Sequence, residues 1–405
     1  MMRESRLKLL VAYAGYTNRL SYYDDWHDAL TGAPQFEAVS VNIAARGAKD
    51  SLRTALPNVD AIVLLHSTNG DTTEYLEPFV PMLADRRVPL LSFVGNELSL
   101  PGSPIADKRA LFARLQPEFV ATQMLLDSGT YLFGDVVRRA VVAIPHALNP
   151  AAFRPTLSDE RRTIDIGARA IRYLPHLGDD DRNRMLDRFK VEGPARGLIV
   201  DISDSRFNRE DWAAFLNRCK ATVSTEAGTW FLERDDATVN AIRAYILSKT
   251  KGGIVIANDS RLRRIGHRLP SWARALARKV MRTGPVRHES LVNEEVPPEE
   301  ILERFFSGRE RPATHAKCIS SRHFDAIGTK TCQIMIRGRF NDILEADKHY
   351  IAVDERLSQL DEAFARFRDT ETRVKIADDA YEHIMAGHTY AHRAEQIYQV
   401  LTASP

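Results

Sequence analysis

The chain has 405 residues, 27% of them charged and 8% aromatic, and a formal net charge of +2. At roughly 100–200 residues per domain this length suits two or three domains, each large enough for a core. The near-neutral balance gives no global preference for nucleic acid or an anionic membrane. Cys219, Cys318 and Cys332 stand far apart without a CxxC pair, which argues against a disulfide scaffold and a cysteine zinc site. MMRESR at 1–6 leads into the first strand without an apolar signal core. No apolar run approaches the ~20 residues that span a bilayer. A reducing cytosol is the expected compartment.

Lys8–Ala14 (KLLVAYA) reads as a buried strand of the parallel-sheet type. Gly15-Tyr16-Thr17-Asn18 follows it, and a helix through Leu30. This is not GxGxxG, so the dinucleotide fingerprint is absent where it would stand. Further strands are expected at Ala38–Ile43, Asp60–Leu65, Val88–Val94, Phe119–Thr122 and Ala140–Ile144, with helices between them, including Tyr75–Leu83 and Lys108–Leu115. Strand and helix alternate at βαβ spacing, so the first half is a doubly wound α/β domain. Ligands of such sheets sit at the carboxyl ends of the strands. Three strand ends therefore matter: His66, Asn96-Glu97 and His146.

After Phe153-Arg154-Pro155 the second half starts again with a strand, Thr163–Ile166. It ends in Gly167-Ala168-Arg169-Ala170, with Arg172 beyond. The Gly permits close backbone approach, and two nearby arginines suit a diphosphate; a solvent-exposed turn with two surface arginines is the alternative. Asp179-Asp180-Asp181 is expected as an N-cap and first-turn acid cluster. Gly197–Ile202 and Ala221–Ser224 are strands, and Glu226 follows the second beside Gly228. There a carboxylate reaches a sugar hydroxyl or caps a helix.

Arg261 to Arg287 carries many Arg and Lys and no acid before Glu289, with Leu262, Ile265, Leu269, Trp272, Leu276 and Val280 at three- or four-residue steps. This basic amphipathic stripe either lies on an anionic membrane surface or packs its apolar face on the domain.

In Ser320–Tyr350, Arg322-His323-Phe324-Asp325 opens a helix that Gly328 is expected to end in a left-handed cap. Cys332–Ile336 (CQIMI) is a buried strand. The helix amides and the Arg322 guanidinium suit phosphate oxygens. The Asp325 carboxylate suits sugar hydroxyls or pairs with Arg322. Helices follow at Leu357–Arg366, Arg373–Ala386 and Thr389–Leu401.

The run from Arg322 resembles the C-terminal half of GT-B glycosyltransferases, in the group that includes spore-maturation-like proteins. The Arg-x-Phe-acid start, the small-residue run with Gly328 and the later His349-Tyr350-Ile351 strand carry the likeness. Pro145-His146-Ala147-Leu148-Asn149-Pro150, with Phe153-Arg154-Pro155, is similar to the hinge of that fold, and Cys219–Gly228 also resembles the group. Many relatives have two glutamates eight positions apart, where this chain has Asp325 and Gln333.

The resemblance implies two Rossmann-like domains facing each other across a cleft: 1–152 on the acceptor side, and 153–387 holding the donor, with a variable basic segment at 258–316. A C-terminal helix, 388–405, crosses back to the first domain. The implied reaction moves a sugar from a nucleotide-diphosphate donor to a hydroxyl of a glycan, lipid-linked or protein acceptor, as in surface-polysaccharide assembly. Arg169, Arg172, Glu226, Arg322, His323 and Asp325 would hold the donor, without an obligatory metal or a cofactor. For an inverting course Glu97 is the first candidate base and His66 the second; a retaining course needs neither. No nucleic-acid partner is expected, and membrane contact is confined to 261–287. A nucleotide-sugar epimerase and a non-catalytic nucleotide-sugar or glycan-binding protein stay open beside the transferase.

Overall fold

A computed structural model describes residues 6–17, 20–249, 254–256, 286–288 and 296–403. Nearly all of the expected basic stripe at 261–287 lies outside the described residues.

The first half forms a six-stranded parallel sheet from Leu7–Tyr13 (β1), Phe36–Asn42 (β2), Ala61–Leu64 (β3), Leu90–Phe93 (β4), Phe119–Thr122 (β5) and Ala140–Ala143 (β6), in the order β2-β1-β3-β4-β5-β6. Side chains alternate across a strand, so each strand feeds two cores. Leu10, Ala12, Ile62 and Leu64 pack with Leu52 of α2 (Ala48–Ala55), Leu83 of α3 (Val80–Ala84) and Phe112 of α4 (Ile105–Leu115). Leu132 of α5 (Leu126–Phe133) joins the same cluster. Leu9, Val11, Ala61 and Val63 pack on the other face with Trp26 of α1 (Ser21–Gly32). The helix expected over 75–83 is broken into a 3-10 turn, Glu77–Phe79, and the short α3. Pro78 and Pro81 are the cause, since proline cannot donate within a helix.

The second sheet has five parallel strands: Ile164–Arg169 (β7), Val200–Ser203 (β8), Cys219–Ser224 (β9), Cys332–Ile336 (β12) and Ile351–Val353 (β13), in the order β13-β12-β9-β7-β8. A separate parallel pair joins Ile254–Ile256 (β10) to Val286–His288 (β11). Helices cover both faces of the five-stranded sheet. α6 (Asp181–Ala195) and α11 (Leu360–Arg368) lie on one, α7 (Arg209–Arg218) and α10 (Ser321–Gly328) on the other. α8 (Ala237–Lys249) and α9 (Pro298–Phe306) pack together through Ile242, Ile246 and Ile301. α12 (Thr370–Gly387) contributes Ile376 to the first face and Ile384 to the second.

Starting from the first strand of each half, the two sheets share one winding order. Both reverse beside that strand, between β1 and β3 and between β7 and β9. Crevices form at such switch points.

The last helix, α13 (Tyr390–Thr402), returns to the first sheet as expected: Tyr390, Ala394, Ile397 and Leu401 complete the core around Trp26 and Leu9. The outgoing and returning segments are bonded to each other, Leu148 N to His388 O and Tyr390 N to Leu148 O, both at 3.0 Å. Gly328 does not form the expected left-handed cap. It is the last residue of α10, and Lys330 takes the positive φ of 52°. A Cβ on Gly328 would stand 2.6 Å from Phe153 O, so the glycine permits close packing against the outgoing segment.

The two halves also touch around the cleft. Asn341 Nδ2 donates to Gln123 O at 3.0 Å, and Ser128 Oγ to His315 O at 2.7 Å. Asp236 accepts from the first amides of α4, Ile105 N at 3.0 Å and Ala106 N at 3.2 Å. It thereby acts as an N-cap supplied from the other half.

Candidate functional site

A pocket opens at the β7/β9 switch point. Its walls are Ala168 and Arg169 at the end of β7 and Ala170 after it, Arg182 and Met185 of α6, Ser224 at the end of β9 and Thr225 after it, Ser320, Arg322 and His323 at the start of α10, and Gln333 of β12. Among the described residues no carboxylate lines it. An adjoining pocket shares Arg169, Trp212 and Arg322 with it and reaches the first half at Ser21 and Tyr22. Arg206 and Asp325 line this second part.

The arginines differ in how they are held. Arg169 donates to Asp201 Oδ2 at 2.8 Å and to Asp201 O at 2.9 Å, and its guanidinium lies 3.9 Å over the Phe215 ring. It ties β7 to β8, and only its buried Nε lacks a partner. Arg172 faces away from the pocket in a two-pronged pair with Asp187 at 2.6 and 2.8 Å. By contrast, Arg182, Arg206 and Arg322 make no hydrogen bond or ion pair among the described residues. The Tyr173 ring lies 3.9 Å from the Arg182 guanidinium and supports it. Burial, then the neighbouring Arg182 charge, pull the Arg322 pKa down to about 10. Unpaired positive charge gathered around one partly buried pocket favours an anion there.

α10 begins with a capping box in which histidine takes the usual acid's place. Ser320 N donates to His323 Nδ1 at 2.9 Å. Burial, then Arg182, push the His323 pKa down to about 3, so the ring is neutral. With Nδ1 accepting, the ring proton sits on Nε2, which is buried and makes no hydrogen bond; the Thr225 carbonyl faces the ring without closing one.

Asp325 accepts from Trp212 Nε1 at 2.9 Å and, across the cleft, from Ser21 Oγ at 3.4 Å. Burial first and Asp25 second raise its pKa well above the carboxylate range. Glu226 turns away from the pocket that Thr225 lines: its Oε1 accepts from Phe340 N at 2.7 Å. Burial raises its pKa.

Glu97 lies inside the first half, where Oε1 accepts from Gln123 N at 2.7 Å and Oε2 from the Thr122 hydroxyl. Burial raises its pKa to about 7. His66 is fully buried between Phe93, 4.4 Å away, and His146, at 5.2 Å, and neither ring nitrogen has a partner. Burial drives its pKa well down. Neither residue lines the two parts of the cleft pocket. The structure thus brings Arg169, Arg322, His323 and Asp325 together and sets Arg172, Glu226, Glu97 and His66 apart from them. Sequence reasoning missed Arg182, Arg206 and Trp212. The position of Arg182 in the first turn of the helix after β7 was the available signal.

Among the described residues no cluster of three His, Cys, Asp or Glu is arranged to hold a metal ion, and no helix is long and apolar enough to cross a membrane.

Residues 259–399 match the family described as Glycosyl transferase-like. No curated protein matches the chain. Among solved structures, the chain is similar to HepE from Anabaena in complex with UDP-glucose, with a TM-score of 0.50 and 10% identity, covering 98% of this chain and 100% of that one. It is also similar to an alpha-glucosyltransferase in complex with UDP and a 13-mer DNA, with a TM-score of 0.52 and 10% identity at the same coverage. At this identity the likeness is one of fold. The chain thus has the GT-B fold, and its residues 259–399 are similar to the glycosyl transferase-like family.

Proposed function

We propose that the chain transfers a sugar from a nucleoside-diphosphate donor to an acceptor hydroxyl, in glycan or surface-polysaccharide assembly. The observation that carries this is the pair Arg182 and Arg322 at the β7/β9 switch point, which among the described residues are unpaired and share a pocket without a carboxylate. Two guanidinium forks and the start of α6 suit a diphosphate. Positive charge fixed beside the leaving diphosphate stabilises the charge that develops there. HepE and the alpha-glucosyltransferase, which share the fold, are described with UDP-glucose and with UDP.

The donor sugar would extend past Trp212 and Asp325 toward Ser21 and Tyr22, and the acceptor would approach from the first half. Arg169 holds the pocket wall on this reading. Arg172 and Glu226 would act on the donor only through the loops they brace. For an inverting course Glu97 stays the first candidate base by its place at a strand end of the first half, with a pKa raised by burial to about 7, although it does not line the cleft pocket. His66 stands second.

A thermal-shift and calorimetric screen against UDP, GDP, TDP and CMP and their sugars tests the donor site, since a ligand of the native state raises the melting temperature. One selective nucleoside diphosphate is the expected result. No shift at millimolar ligand defeats the proposal. A second reading, a nucleotide-sugar-binding protein without turnover, draws support from Asp325, whose carboxyl is already engaged by Trp212 and Ser21. Donor binding without sugar transfer to any of a panel of acceptors would favour it.

A further inference from the structure

The first sheet has a switch point of its own, between β1 and β3, and tyrosines and a carboxylate stand there instead of arginines. Gly15-Tyr16 leaves β1, and the segment from 65 to 76 leaves β3. The Tyr16 hydroxyl donates to Asp71 Oδ2 at 3.1 Å and meets the Tyr23 hydroxyl at 3.0 Å. The rings of Tyr16 and Tyr75 lie 5.1 Å apart and nearly parallel, at 11°. Both tyrosines are half-buried, and Asp71 is exposed. Among the described residues Asp71 has no cation at ion-pair distance. The group is held rigidly. Gly70, just before Asp71, has its carbonyl bonded by Lys108 Nζ at 2.9 Å and by Ser103 Oγ at 3.1 Å. A Cβ on Gly70 would stand 2.7 Å from the Tyr23 hydroxyl, so the glycine lets Tyr23 close on the turn.

The group also adjoins the cleft. Tyr22 precedes Tyr23 on α1 and packs edge-on against it, 4.7 Å between ring centres. Tyr22 lines the part of the cleft that holds Arg206, Arg322 and Asp325. Burial raises the Tyr22 pKa to about 12; Asp71 pushes the same way, and Arg206 and Arg322 pull against it. One phenol thus lies between the field of the carboxylate and that of the arginines. The chemistry beside Asp71 selects its ligand. An anion is repelled there, and a purely apolar group leaves the carboxylate without a donor. A sugar ring meets both demands: its C–H face lies on aromatic rings, and its hydroxyls donate to a carboxylate. Aromatic surface with a placed polar acceptor is the usual makeup of a small-molecule site.

We infer that Tyr16, Tyr75 and Asp71 form an acceptor subsite for an uncharged sugar ring, an inference that rests on reading the chain as a sugar transferase. The acceptor is then a glycan, rather than a bare lipid alcohol or a protein side chain. Its ring lies against the tyrosines and its hydroxyls donate to Asp71. Its reactive hydroxyl points past Tyr22 toward Trp212 and Asp325, where the donor sugar ends.

The test is saturation-transfer NMR on the full chain, with and without the tightest binder among UDP, GDP, TDP and CMP. The probes are the methyl glycosides of glucose, galactose, mannose, N-acetylglucosamine and rhamnose, with cyclohexanol as the apolar control. At least one glycoside is expected to bind at millimolar concentration, and cyclohexanol is not. Asp71→Asn and Tyr75→Ala should each weaken that glycoside about tenfold, the worth of one charge-assisted hydrogen bond or one ring contact. Tyr75→Phe keeps the ring and should bind it within twofold of wild type. Nucleotide affinity, measured by calorimetry, should stay within twofold in all three variants, which shows them folded. Wild-type glycoside affinity in Asp71→Asn and Tyr75→Ala overturns the subsite and leaves the donor reading intact. So does a chain that binds nucleotide but none of the glycosides. A wild-type chain that binds no nucleotide overturns the transferase reading, and this inference with it.

Discussion

Asp25 on α1 and Arg209 on α7 form an ion pair across the two halves, 3.1 Å from Oδ1 to Nη1. Asn149 of the outgoing segment donates to the same oxygen at 2.7 Å. One carboxylate therefore joins the first sheet, the second sheet and the segment between them.

Burial is the largest influence on Asp25 and raises its pKa to about 6, against the pull of Asn149 and Arg209. An unfolded Asp titrates near pH ~4. Between those values the folded chain keeps a proton that the unfolded chain has lost. The contribution of Asp25 to stability therefore falls as pH rises from ~4 to ~6, by on the order of 1–3 kcal/mol. Asp25→Asn should flatten that part of the profile. Urea midpoints for both proteins across pH ~4 to ~7.5 check it, and parallel profiles would refute it.

Donor affinity should separate the arginines. Arg322→Ala and Arg182→Ala each remove an unpaired guanidinium and are expected to weaken nucleoside-diphosphate binding about 10–100-fold, the worth of one or two charge-assisted hydrogen bonds. Arg172→Ala removes only the exposed pair with Asp187 and should leave binding within twofold. Calorimetry with the screened nucleotide measures all three.

This contrast shows what the sequence holds. Strands such as AIVL at Ala61–Leu64 were legible because a parallel strand buried on both faces is apolar throughout. Arg169 at the end of β7 and Arg172 beyond it were legible as a pair near a strand end, but not their division of labour. Arg169 and Arg172 have acids, Asp201 and Asp187, that come into reach only on folding. Arg182 sits in Asp-Arg-Asn-Arg, which reads as an ordinary charged helix start. Gly328 was misread because a glycine near a helix end fits a cap, whereas its neighbour Phe153 is distant in sequence. His323 was visible beside Arg322, yet its donor role depends on the Ser320 amide.

Glu97→Gln separates a catalytic from a structural role. The amide still accepts from Gln123 N and can donate to the Thr122 hydroxyl, so stability should change little. On the proposed inverting course kcat falls at least a hundredfold with donor affinity unchanged. Glu97→Ala should in addition lose about 1–3 kcal/mol, because two buried donors are stranded. Full kcat in Glu97→Gln would remove it as the base.

Ile397→Ala on α13 should destabilise the first sheet by about 2–5 kcal/mol, as for a fully buried aliphatic side chain cut to alanine. Trp26 belongs to the same core, so its fluorescence reports the change in chemical denaturation. A loss under about 1 kcal/mol would mean that the helix is dispensable to that core.

The returning helix also sets an order on the ribosome. Domains generally fold as they emerge, amino-terminal first. Here the face of the first sheet that carries Leu9, Val11 and Trp26 is completed by residues 390–401. Those residues leave the exit tunnel only after the second half, so the first sheet must wait through synthesis of the whole second half with that face uncovered. An apolar surface open for so long is a binding site for chaperones, and a nascent chain stalled just before α13 is the species in which that exposure is greatest.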